Sequence, residues 1–121
     1  MPELDIGVVI PAYNAEDTIS RTIESVLEQT FKAKRTLVID DGSTDNTKNI
    51  IKNYRKFVEY IRQANKGPSS ARNNGVKNLD TDFVIFLDAD DVLLPNGLAK
   101  RFEMMIESDA LWGFTDGLIE S

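Results

Sequence analysis

Apolar positions along the chain fall into four short runs, each closed by a turn or by acids. Ile6–Ile10 stops at Pro11, Thr36–Ile39 stops at Asp40, Asp41, Gly42 and Ser43, and Phe83–Leu87 stops at Asp88, Ala89, Asp90 and Asp91. Runs of this length bounded by punctuation predict buried strands. Val58–Ile61 alternates and predicts a more peripheral strand. Between the strands the period changes to that of a helix. Asn14 is placed as an N-cap with Asp17 in a capping-box position, ahead of a stripe of Ile19, Ile23, Val26 and Leu27. Ser43 is placed as the cap of a second helix bearing Ile50, Ile51, Tyr54 and Phe57. Pro68 suits the first turn of a third, with Ala71, Gly75, Val76 and Leu79. Pro95 opens a fourth, turning Leu98, Phe102, Met105 and Ile106 inward, and Ala110–Thr115 reads ambiguously as one more strand.

The order is therefore β-α-β-α-β-α-β-α. It predicts an α/β fold with a mostly parallel open sheet, helices on both faces and right-handed crossovers. Consecutive apolar positions in three of the strands agree, because a parallel sheet is covered on both sides. No repeat or linker divides residues 1–121, so one domain is expected.

Composition narrows the chemistry. The chain carries 20 acids against 14 bases, a net charge of −6, which argues against a nucleic-acid partner. It has no cysteine and no histidine. Disulfides, thiolate zinc sites and imidazole bases are thereby excluded, and any metal must be held by oxygen. No stretch has the ~20 apolar residues of a membrane span, and the first residues lack the pattern of a secretory signal. A cytoplasmic protein is the expectation.

Ligands of open α/β sheets bind outside the carboxyl ends of the strands. Two strands end in acids there: Asp40 and Asp41 on one, Asp88, Asp90 and Asp91 on the other. Five carboxylates on one edge repel one another, and a divalent cation, Mg2+ or Mn2+ by its preference for oxygen, is the simplest offset. Helix capping competes for Asp40 and Ser43, though one cap does not need three acids. Tyr13 can stack on a base or pack at the sheet rim. Lys66–Gly75 joins a turn to a helix start that favours an anion. It can equally be a solvated loop followed by small packing residues, with Arg72 a partner for an acid pair.

Taken in order, Val9–Asn14, Leu27–Phe31, Val38–Asp45, Asn65–Gly67, Ser70–Gly75 and Phe86–Asp91 closely resemble the nucleotide-binding half of family 2 glycosyltransferases, which have the GT-A fold. Each motif alone is weak; the ordered set is specific. The resemblance implies a nucleotide-sugar donor, commonly a UDP-sugar, and an inverting transfer to the hydroxyl of a saccharide or lipid-linked acceptor. It implies that Pro11 and Tyr13 border the base, that Asp41 reads the uracil edge, and that Lys66 and Gly67 lie near the nucleotide. Asp88 is then close to the ribose, Asp90 binds the Mn2+ or Mg2+ that bridges the phosphates, and Asp91 assists at the metal. A role in bacterial envelope or capsule polysaccharide synthesis fits such a family.

Full catalytic domains of that family are considerably longer, so the chain is expected to be a truncated, donor-binding part. Its catalytic base is expected beyond Ser121, since Asp116 comes too early, and membrane association would come from a segment outside this sequence. Rival readings are a nucleotidyltransferase, a receiver-like phosphoacceptor module and a nucleotide-binding domain without catalysis. The first lacks its Gly-rich loop after the first strand. The second would carry its acid pair there.

Overall fold

The computed structural model describes residues 4–108 and 119–120. Strands β1 (Ile6–Ala12), β2 (Arg35–Asp40), β3 (Glu59–Arg62) and β4 (Phe83–Phe86) form one parallel sheet in the order β3-β2-β1-β4. At its centre lies β1, which is buried except at Pro11; its Ile10 pairs with Val38 of β2 and its Val9 pairs with Phe86 of β4. The peripheral strand expected at Val58–Ile61 is the edge strand β3, one residue later. Val92–Leu93 (β5) and Ile119–Glu120 (β6) add a two-stranded antiparallel ladder that the sequence pattern does not reveal. The tail expected as a strand, Ala110–Thr115, lies outside the described residues, as does Asp116.

Side chains alternate across a strand, and that parity divides the core in two. Ile6, Val8, Ile10, Val38, Ile85 and Leu87 face α1 (Ile19–Leu27), α2 (Thr47–Lys52) and α4 (Gly97–Ser108). Val9, Leu37, Ile39, Val84 and Phe86 face Ala71 of α3 (Pro68–Lys77) and Leu79 just after it. Phe102 of α4 stacks on Phe31 at 4.8 Å between ring centroids and meets Phe83 edge-on at 5.7 Å. Gln29, 1% exposed, holds the start of α4: its Oε1 accepts from Leu98 N at 2.9 Å while its Nε2 donates to Leu94 O at 2.7 Å.

Helix α3 lies close to the sheet because of Gly75. A Cβ there would stand 2.4 Å from Val9 Cγ1, and Val9 is fully buried. Gly75→Ala gains helix propensity of about 1 kcal/mol, but overpacking against a stiff branched side chain costs about 1–3 kcal/mol. The expected net loss is about 1–2 kcal/mol in urea denaturation. Adding Val9→Ala should restore part of it, so that the double variant loses less than the sum of the singles.

Several helix ends and faces differ from the expectation. Asn14 is not a cap: it takes a left-handed conformation (φ 48°), and α1 begins at Ile19 after Thr18. Asp17 therefore closes no capping box. Ser43 does not cap α2, whose N-terminal flank is Asn46; its hydroxyl instead accepts from Asn14 N at 2.9 Å. Because α2 ends at Lys52, Phe57 falls outside the helical stripe and is 65% exposed. Val76 and Ile106 are likewise exposed, each just outside the inward arc of its helix.

Candidate functional site

From β1 the chain runs outward to β2 and β3, then returns to β4 on the other side of β1. The strand order thus reverses between β1 and β4, the position where α/β sheets open a ligand crevice. Both acid clusters lie at this carboxyl edge, as expected from parallel strands.

Parity decides where each acid points. Asp40 continues the face of Val38, and Asp41 that of Leu37 and Ile39. The two neighbours therefore do different things. Asp40 is fully buried, with its carboxylate accepting from Ser43 N (2.8 Å), Tyr60 OH (2.6 Å) and Arg62 Nη1 (3.1 Å). It is a structural clamp, and it is not one of the three acids that cluster after β4. Burial and the Asp40 acceptor together push the Tyr60 hydroxyl above its ordinary pKa.

Asp41 turns to the α3 side. Burial raises its pKa, but hydrogen bonds from Gln63 Nε2 (2.8 Å), Lys66 N (2.8 Å) and Gly67 N (2.9 Å) outweigh this and hold it below the ordinary carboxylate value. It is ionised at neutral pH and can only accept. With Pro11, Tyr13, Gly67, Pro68, Ala71 and Asp88 it lines a mainly apolar cavity of about 310 Å³. Gly67 sits at φ +99°, a conformation that glycine adopts without strain, and nothing stands within 4 Å of where a Cβ would project. Tyr13 is half exposed rather than packed at the rim. Lys66 offers its backbone N–H to Asp41, while its side chain lines a separate polar groove with Gln63, Ser70 and Lys77.

Asp88, Asp90 and Asp91 come together: one carboxylate oxygen from each lies within 4.8 Å of the others. Arg72 reaches Asp88 at 3.5 Å, the ion pair foreseen as an alternative, and offsets only part of this charge. Hard oxygen donors in this number suit Mg2+ or Mn2+. Asp90 also lines a second cavity of about 390 Å³ with Tyr13, Asn14 and Asp17, which gives Asp17 a place at the site that capping logic missed.

The loops carrying these groups are fastened by side chains that the sequence motifs do not assign to the site. Asn14 Oδ1 accepts from Thr44 N (2.8 Å), and Thr47 Oγ1 accepts from Ala15 N (2.8 Å), which ties the loop after β1 to that after β2. The hydroxyls of Thr18 and Thr22 donate to Ala89 O at 2.8 and 2.9 Å, so α1 fixes the backbone between Asp88 and Asp90. A threonine on the apolar stripe of α1, beside Ile19, Ile23 and Val26, is the available sequence signal. Gln63 and Tyr60 carried none.

Among the described residues no helix is long and apolar enough to cross a membrane.

Comparison with known proteins agrees with this fold. The family model described as Glycosyl transferase family 2 matches residues 7–117. A putative teichuronic acid biosynthesis glycosyltransferase, TuaG of Bacillus subtilis, is 36% identical over 114 residues, covering 91% of this chain and 45% of the relative. The UDP-Glc:alpha-D-GlcNAc-diphosphoundecaprenol beta-1,3-glucosyltransferase WfgD of Escherichia coli is 35% identical over 111 residues, 90% and 44% of the two chains. The crystal structure of S. aureus TarS 1-349 in complex with UDP superimposes with a TM-score of 0.78 at 28% identity, covering 88% of this chain and 33% of that one. The chain thus spans less than half the length of these relatives. Neither a receiver module nor a nucleotidyltransferase gains support from these matches. The fold is GT-A, and the chain belongs to glycosyl transferase family 2.

Proposed function

We propose that the carboxyl edge of this sheet binds the nucleoside diphosphate of a UDP-sugar, as the donor half of an inverting glycosyltransferase. The observation that carries this reading is the juxtaposition of an apolar cavity floored by the ionised Asp41 with the acid triad next to it. Asp41 accepts from the imide N–H of uracil, Tyr13 and Pro11 flank the ring, and Gly67 leaves room for it. Asp88 lines the cavity on the side of the triad, where the ribose meets the diphosphate. Asp90, with Asp88 and Asp91, would hold Mn2+ or Mg2+, and such a cation would offset the charge gathering on the departing diphosphate. Asp41 stays ionised and orients the donor.

We assign no residue of this chain the role of base. That function, and the choice of a saccharide or lipid-linked acceptor, belong on this reading to the acceptor-binding part. Residues 1–121 are then the nucleotide-sugar-binding part of the domain, in a cytoplasmic setting. The UDP bound by TarS and the UDP-Glc named for WfgD support the uridine choice.

Calorimetric titration of UDP into the chain, with and without Mn2+, tests this. Binding heat beyond that of Mn2+ with UDP alone is expected, and it should shrink sharply when Mn2+ is withheld. Equal, negligible heat in both conditions from folded protein would sink the proposal.

A further inference from the structure

The Asp41 carboxylate has about four lone-pair positions. Oδ1 accepts from Gln63 Nε2 and Lys66 N, each at 2.8 Å, and Oδ2 accepts from Gly67 N at 2.9 Å. Two of these donors are backbone groups of the turn before α3. The third is a side chain that is itself gripped: Asn74 Nδ2 donates to Gln63 Oε1 at 2.9 Å, and Asn78 Nδ2 donates to Asn74 Oδ1 at 3.0 Å. The remaining N–H of Gln63 faces Ser70 Oγ at 3.4 Å. Turning the Gln63 amide over would set its carbonyl against a carboxylate and its NH2 against that of Asn74. One orientation is therefore enforced.

We propose that Gln63, oriented by Asn74, is a positioning and specificity residue of the nucleobase cavity: it closes Oδ1 of Asp41 and leaves a single acceptor position, on Oδ2. This rests on the nucleotide site proposed above. Uracil presents one N–H between two carbonyls and needs one acceptor. Guanine presents two adjacent donors and needs both oxygens of a carboxylate. Cytosine presents a ring nitrogen that is itself an acceptor and is repelled. The count of open positions thus favours uridine, and Gln63 sets that count.

Calorimetry in Mn2+ with UDP, N3-methyl-UDP and GDP reads the effect. The parent chain should bind UDP more tightly than either analogue. Gln63→Leu removes one of the three donors that fix the Asp41 carboxylate and reopens Oδ1. The loosened Oδ2 should weaken UDP by about tenfold, the scale of one hydrogen bond to a charged group, leave N3-methyl-UDP nearly unchanged, and narrow the gap to GDP. Asn74→Ala should act in the same direction and less strongly, and it carries the test should Gln63→Leu fail to fold. A parent that binds none of the three overturns the nucleotide site together with this role. A parent that prefers UDP, with variants that weaken UDP and N3-methyl-UDP equally or leave UDP untouched, overturns the role of Gln63 alone.

Discussion

Replacing Asp90 with alanine should weaken Mn2+-dependent UDP binding by at least about 100-fold, because even outer partners of a metal site cost 10–100-fold when removed. The same substitution should leave the melting temperature almost unmoved. Asp90 is exposed, and no hydrogen bond or ion pair from the described residues engages its carboxylate. Asp88, by contrast, has Arg72 at 3.5 Å. The backbone of the acidic loop is held from elsewhere, by Thr18 and Thr22 on the Ala89 carbonyl. Deleting the Asp90 carboxylate therefore removes a ligand and a repelling charge without removing a support. Surface changes of that kind stay within about 0.5 kcal/mol. Titration of UDP in Mn2+ and in chelator, beside a thermal melt, separates the two effects. Unchanged affinity in Mn2+ would remove Asp90 from the metal site, and unfolding would make it a cap after all.

Most of the architecture was legible because burial on both faces leaves a strong mark. The runs at Ile6, Thr36 and Phe83 have no polar face to confuse them, and all three became strands of the parallel sheet. What failed was local. Asn14 and Ser43 look like caps by residue type, yet each bonds to the other's loop, a contact across 29 positions that no short window can contain. Phe57 and Ile106 extend apolar stripes on paper, but α2 is only six residues long and ends before Phe57, and Ile106 falls outside the buried arc of Leu98, Phe102 and Met105. The acids were found as a group and then had to be divided. Asp40 and Asp41 are adjacent in sequence and opposite in role, which β2 already implies through its alternation, since Val38 and Ile39 serve different halves of the core. Gln63 was invisible because its importance lies entirely in the carboxylate it meets, 22 residues away.

That division predicts the other large effect, which falls on stability. Asp40→Ala strips an acceptor from Ser43 N, Tyr60 OH and Arg62 at once, and Asp40 is 0% exposed. Breaking a buried charge network by removing one partner costs about 3–5 kcal/mol. The Arg62 side chain is 42% exposed and recovers water, so its share is discounted and the lower end applies. A loss of about 3 kcal/mol in a chain of this size lowers the melting temperature by about 10–15 °C. Asp40→Asn should lose less, because its carbonyl still accepts from Ser43 N while its amide faces Arg62. Tyr60→Phe should cost about 1 kcal/mol on its own and nothing further in the Asp40→Ala background, as groups of one network are not additive. UDP affinity should fall in Asp40→Ala even below its melting temperature, since the side-chain clamp fixes the strand end that aims Asp41. A melting temperature within about 3 °C of the parent, the range of an ordinary surface substitution, would show that Asp40 carries no such load.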